Sequence, residues 1–306
     1  MKKKNYLTIV MYHQIIKNKK YFHGIGIKEF EKQMFYFKKK FNILKPDEFY
    51  NKIRENKFKH KDCIITFDDG YYSQYKYGLD ILNKHNIKAF FFPMVFGKKI
   101  VKVHHLNKIQ LLIKLTKNKN QILDEIFQFI KKENSKIFKD LHKIIKGIKT
   151  KGYYDKEVDI IIKKLLQSEL PKTLREKICN RLFKKLNIGK SILKNMYMND
   201  DNLLKLKADG HEIGLHTLNH FRLSKLSKKE QYIELTEGLK YLKRKKLINE
   251  NWSCCYPFGD YNKNTLSILN KLKCKAAFTV KNKPQDINNF KKLELNRLDC
   301  NEFNNI

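Results

Sequence analysis

Two consecutive aspartates in Thr66-Phe67-Asp68-Asp69-Gly70 and two histidines in His216-Thr217-Leu218-Asn219-His220 are the groups of this chain best suited to chemistry. Together they offer one carboxylate and two imidazoles to a divalent cation, with a second carboxylate alongside. Two His and one Asp leave a zinc-type coordination sphere open to water, which is the arrangement of a catalytic site. A cation in such a site lowers the pKa of water and polarises a carbonyl, so the chemistry in outline is hydrolysis.

The elements that must position these groups follow from local sequence. Ile64, Ile65 and Phe67 predict a short buried strand that ends at Gly70, where a turn forms. Neighbouring residues of a strand point to opposite sides, so one of Asp68 and Asp69 is free to ligate a cation while the other holds a water. His216 follows a second strand-like run, Glu212-Ile213-Gly214-Leu215. The four-residue spacing to His220 predicts a helical turn with both imidazoles on one face. A third segment, Tyr256-Pro257-Phe258-Gly259-Asp260-Tyr261-Asn262, joins a residue with a fixed dihedral to one that permits unusual ones. Such a turn is rigid enough to aim a backbone N–H at a developing oxyanion.

Around these segments, strands alternate with helices. Thr8 to Tyr12 predicts a first strand that ends at His13, and Phe30, Met34 and Phe37 mark the inner face of a helix. Pro46-Asp47 starts another helix, with Phe49 and Ile53 inward. Tyr75 to His85 predicts a helix leading into an Ala89 to Phe92 strand, and the alternation is that of a parallel barrel. Between residues 97 and 198 the strand signal vanishes. Lysine-rich stretches with helical apolar spacing, such as Ile122, Ile126, Phe129 and Ile130, predict a helical insertion carrying 26 basic and 9 acidic residues. βα alternation resumes with a helix at Leu203, Leu204 and Leu206, and Ser227 with Glu230 forms the capping box of a long helix reaching Lys245. Asn296-Arg297-Leu298-Asp299 predicts a last strand, and little chain follows it to close the barrel.

In this order, the three segments resemble those of the polysaccharide deacetylase family, also called the NodB-homology or carbohydrate esterase family 4 group. TFDDG is similar to its first motif, HTLNH to its second and YPFG to a variant of its third, and the resemblance spans residues 1–96 and 199–300. It implies an α/β fold: a distorted (β/α)7-type barrel (1–96 and 199–306) interrupted by the helical insertion 97–198. It implies an activity, the metal-dependent removal of acetyl groups from N-acetylated sugars. Asp68 would be the general base; Asp69, His216 and His220 would ligate the metal, most often Zn with Co or Ni as substitutes. The N–H of Phe258, in the turn with Tyr256 and Pro257, would help to bind the oxyanion. Two departures stand out. Where many members place an arginine that orients the catalytic aspartate, this chain has Cys255, so Asp68 must be oriented from elsewhere. No histidine follows His220, so the usual proton donor is missing, and His13 at the end of the first strand is the best replacement. His104 and His105 are further candidates, as are a metal-bound water and Asp68 recycled as the acid. A glycan-binding protein without turnover, or a hydrolase of another amide or ester, fits the same pattern.

Composition sets outer bounds. The 306 residues, 42% of them hydrophobic with 21 Phe and 16 Tyr, suffice for one substantial core with an embellishment. A net charge of +35 invites nucleic acid as a partner, but only six of the 66 basic residues are arginine, whose fork suits phosphate and base recognition. The lysine surface is expected to be solvated, with peripheral contact to an anionic membrane as its other use. Met1-Lys2-Lys3-Lys4 has the basic start of a secretory signal, but the apolar run Leu7 to Met11 is too short for one. No stretch has the apolar length of a membrane span. With six cysteines and no C-x-x-C pair, the expectation is reduced thiols and a cytoplasmic location, with or without association to the inner membrane.

Overall fold

The computed structural model describes residues 5–17, 21–95, 103–150, 156–188, 193 and 196–305. Their contacts divide them into two compact units, one within Met1–Lys17, His23–Ile100 and Asn195–Ile306, the other within Asn18–Phe22 and Val101–Lys194. The expected start of the insertion, between residues 96 and 97, lies outside the described residues.

The first unit is the barrel. Beside short two-residue strands, its ring is built from β1 (Tyr6–Tyr12), β2 (Asp62–Asp69), β3 (Phe90–Pro93), β4 (Glu212–Ile213), β5 (Ser253–Cys255), β6 (Ala276–Asn282) and β7 (Leu295–Asp299). They hydrogen-bond in the order β4-β3-β2-β1-β7-β6-β5, every pair parallel. A single bridge between Leu215, just past β4, and Cys254 of β5 joins the two ends. Closure therefore uses no strand after β7. The seam consists of two backbone bonds, Leu215 N–H to Ser253 O at 2.9 Å and Cys255 N–H to Leu215 O at 2.8 Å.

Alternation along the strands separates lumen from outer face. Leu7, Ile9, Ile64, Phe90, Phe92, Ala276, Phe278 and Leu295 fill the lumen in one cluster, and Phe49 and Phe58 join them. The intervening residues Val10, Tyr12, Cys63, Ile65, Phe67, Phe91 and Ala277 pack outward against the helices. Helix α1 (Ile27–Lys40) covers β1 and β2: Phe30 meets Tyr12 edge-on at 5.1 Å and Phe67 at 5.8 Å, with Met34 and Phe37 buried behind it. Burying each such side chain contributes about 1.5–3 kcal/mol. Helix α2 (Pro46–Glu55) starts at its proline, and the stretch expected as one helix from Tyr75 to His85 is a π-helical turn, Gln74–Gly78, followed by α3 (Leu79–Lys84).

The second unit contains α4 (His105–Leu115), α5 (Lys119–Glu133), α6 (Ser135–Lys146), α7 (Glu157–Lys164) and α8 (Lys172–Lys184). Its core is aliphatic. Ile122, Ile126 and Ile130 lie on the buried face of α5 at the helical spacing, with Phe129 partly buried beside them. Back in the barrel follow α9 (Asp200–Ala208), α10 (Lys228–Arg244), whose Ser227 and Glu230 form the expected capping box, and α11 (Lys263–Lys271). No helix among the described residues is long and apolar enough to cross a membrane.

Candidate active site

At the C-terminal end of β2, alternation sends Ile64, Thr66 and Asp68 into the lumen and turns Asp69 over the rim. Gly70 then adopts φ +67°, and a Cβ there would come within 2.7 Å of Pro93, so only glycine turns the chain at this point. Asp69 is itself left-handed, at φ 69°.

Asp69 Oδ1 lies 3.3 Å from Nε2 of both His216 and His220, and the three ligand atoms lie within 4.8 Å of one another. The histidines meet by a route other than the expected helical turn. Residues 216–220 form an irregular loop in which Thr217 (φ 59°) and His220 (φ 56°) adopt left-handed backbone, rare for a β-branched residue. Thr217 Oγ1 accepts the N–H of His220, and Glu234 of α10 accepts both the N–H of Asn219 (2.8 Å) and its side-chain amide (2.7 Å). Four residues along the same helix, Gly238 lets the loop settle: a Cβ there would meet Leu215 at 2.8 Å. A cation needs the fold to supply both curvature and support, and here α10 supplies the support.

The donor set fits a zinc-type ion. With bonds of about 2.0–2.1 Å, two ligand atoms of a tetrahedral site are about 3.3 Å apart, the separation that Asp69 keeps from each imidazole. His216 Nδ1 is 2.8 Å from the carbonyl oxygen of Cys255, to which it donates, leaving Nε2 to face Asp69. Burial disfavours the charged form of His216, but the Asp69 hydrogen bond and the charges of Asp68 and Asp69 outweigh it and raise its pKa. Burial likewise works against an ionised Asp69, and the two imidazoles more than compensate, holding it well below the usual carboxylate range. His220 moves the other way: burial, together with the charge of His216, lowers its pKa despite the Asp69 hydrogen bond.

Asp68 answers to a different cation. The guanidinium of Arg297, fully buried on β7, grips it with two bonds, Nη1 to Oδ1 at 2.8 Å and Nη2 to Oδ2 at 2.6 Å. Arg297 also donates to Thr279 O and Thr66 Oγ1, while Cys255 Sγ lies 3.0 Å from Nη2 and 3.3 Å from Asp68 Oδ2. Burial pushes the Asp68 carboxyl up, but Arg297 outweighs it and brings it down to about 2. With Cys255 in the arginine's place, the orientation of Asp68 thus comes from the last strand. The sequence carried a signal for it: alternation puts Arg297 on the same face as Leu295, and a charge on a core-facing position requires a partner.

His13 follows β1, 44% exposed, with Nε2 4.0 Å from Asp68 Oδ2. Gln74, in the π-helical turn, donates its amide to the carbonyls of both His13 (2.7 Å) and Asp68 (2.6 Å), tying the two strand ends together. His104 and His105 belong to the helical unit, where His104 caps α4 and His105 bonds to Leu166 O. In the third segment Phe258 takes φ 58° inside a tight turn whose closing bonds come from Gly259 and Asp260. Its ring meets that of His220 at 5.0 Å. Tyr256 turns its side chain into the core, stacked on Tyr261 at 4.5 Å with its hydroxyl donated to Leu293 O. Pro257 is buried too, so this segment presents backbone and the Phe258 ring.

A parallel barrel with carboxylates and imidazoles gathered at its C-terminal rim is the frame of a barrel hydrolase. The chain belongs to the polysaccharide deacetylase family, whose sequence model matches residues 55–122 and 187–277, more than half of its length. It is 34% identical over 107 residues to a polysaccharide-deacetylase-like protein, YxkH, of Bacillus subtilis (strain 168); the match covers 34% of this chain and 37% of that relative. Among solved structures it is similar to the Streptococcus pyogenes deacetylase PplD in complex with acetate, with a TM-score of 0.58 at 18% identity, covering 97% of this chain and 93% of that one. It is also similar to IcaB from Ammonifex degensii, with a TM-score of 0.57 at 15% identity over 96% of this chain and 91% of the other. At those identities the likeness is one of fold.

Proposed function

We propose that the protein is a metal-dependent deacetylase that hydrolyses the acetamide of an N-acetylated sugar in a bacterial surface glycan or its precursor. The observation that carries this reading is the convergence of Asp69, His216 and His220 on one point beside a second carboxylate fixed by Arg297. Asp69, His216 and His220 hold the cation, Zn or in its place Co or Ni, which supplies a Lewis acid and lowers the pKa of water. Asp68, kept ionised and aimed by Arg297, takes the proton from the attacking water. The N–H of Phe258, in its tight turn, donates to the oxygen on which charge develops. His13, alongside Asp68, protonates the leaving amine and is recharged from the carboxyl. Acetate and the free amine are the products.

Asp68→Asn tests the assignment. It should retain Zn in equilibrium dialysis and lose about 10²–10⁴ in kcat on an N-acetylglucosamine oligomer. Turnover equal to that of the wild type would remove Asp68 as the base.

A further inference from the structure

In a chain with only six arginines among 66 basic residues, two stand in the site segments, and the second has no part in the chemistry above. Arg222 lies two residues past His220, and its guanidinium carbon sits 4.0 Å from the centre of the Phe258 ring, whose edge meets His220. The cation is thus one ring removed from a candidate metal ligand, a reach comparable to one sugar unit. Stacking on an aromatic face fixes the plane of a guanidinium while leaving its N–H edge open, a geometry that lysine lacks.

Its charged partner among the described residues is Asp260, at 4.0 Å, the outer limit of an ion pair. Asp260 is otherwise engaged: Ser224 donates its N–H at 2.6 Å and its hydroxyl at 2.9 Å to the two carboxylate oxygens. Asp260 therefore steers Arg222 from a distance while the fork keeps donors for a ligand. The side chain is 29% exposed, so a ligand can reach it while solvent screens it only in part.

We infer that Arg222, mounted on Phe258, forms a subsite for an acidic group, a carboxylate or a phosphate, carried by the sugar next to the one deacetylated. This rests on the deacetylase reading and narrows it from N-acetylated sugars in general to anionic ones. Planar acidic oxygens match the guanidinium edge in a bidentate manner, and a charge-assisted pair at a half-buried site is worth about tenfold in affinity.

Binding to Zn-loaded Asp68→Asn protein, measured by calorimetry, separates the subsite from turnover. The probes are an N-acetylglucosamine tetramer, a tetrasaccharide alternating glucuronate with N-acetylglucosamine, and the N-acetylglucosamine disaccharide 1-phosphate. At least one acidic probe should bind about tenfold more tightly than the neutral tetramer, less so as salt rises, and the uronate and phosphate arms identify which group is preferred. Adding Arg222→Gln should bring the acidic-to-neutral ratio close to one, while Arg222→Lys should restore part of it. A ratio near one with Arg222 present, or one that persists in Arg222→Gln, overturns the subsite. Absence of turnover by the wild-type holoenzyme on every probe would sink the deacetylase reading, and the binding ratio would still judge Arg222.

Discussion

Asp68, buried at the barrel's mouth, and Glu212, buried at its floor, are pushed to opposite states of charge. At the mouth, Asp68 faces a guanidinium and is depressed to about 2. At the floor, Glu212, the first residue of β4 and 5% exposed, meets only neutral donors at long range among the described residues: the Tyr50 hydroxyl at 3.3 Å and the Asn249 amide at 3.5 Å. The ammonium of Lys207, whose charge is felt there, gives its hydrogen bond to Lys246 O. Burial dominates, and Glu212 is pushed up to about 8. Equal burial therefore does not decide function: a cation in the right place makes a base of one carboxylate, and its lack leaves the other a neutral packing group.

The largest effect should come from removing that cation. In Arg297→Met, burial acts on Asp68 against only the smaller pull of His216 and His13, so its pKa rises and the base is protonated near neutrality. Activity should fall about 10³-fold at pH 7 and recover in part toward pH 9, while breaking the buried pair costs about 3–5 kcal/mol in urea denaturation. An acid limb of the pH–rate profile at the wild-type position would erase the contrast between the two ends.

Glu212→Gln sharpens it from the other side. A carboxyl whose folded pKa is raised binds its proton more tightly in the native state. Its stabilisation is whole below the unfolded value near 4.5 and is lost as pH climbs through the folded value of about 8. The Gln variant, which cannot ionise, should match the wild type at pH 4.5 and exceed it increasingly to pH 8, by on the order of 4 kcal/mol. Asp68 has the opposite slope, since its contribution is complete above the unfolded value and is lost as acid approaches 2. Equal stability of the two proteins at pH 4.5 and pH 8 would mean that the floor is not held neutral.

The smallest effect concerns support of the ligand loop. Glu234→Gln places a donor where Glu234 accepts from Asn219, so Zn affinity in a chelator competition should drop about tenfold. Unaltered affinity would show that the loop holds His220 without α10.

Much of this was legible in the chain. Asp68 and Asp69 diverge because strand alternation is a local property, and the apolar spacings of α1, α5 and α10 follow from helix geometry alone. What escaped is set by long-range contact. The loop at 216–220 departs from a helical turn because Glu234 and Thr217 compensate its left-handed residues, and no spacing rule contains that. Tyr256 turned inward because Leu293 offers its hydroxyl an acceptor. Arg297 lies 229 residues from Asp68, and only the closed ring brings β7 beside the lumen face of β2.

The two-bond seam between Leu215 and β5 also has a dynamic consequence. His216 follows it directly and spans it, one nitrogen on the Cys255 carbonyl and the other facing Asp69 across the ring. A ring zipped by six ladders and latched at one point breathes at the latch. Deuterium should enter the Leu215 and Cys255 amides sooner than those of Val10 and Ile65, and a loaded ion should slow it there first, because the imidazole that binds the ion is also the bolt of the latch.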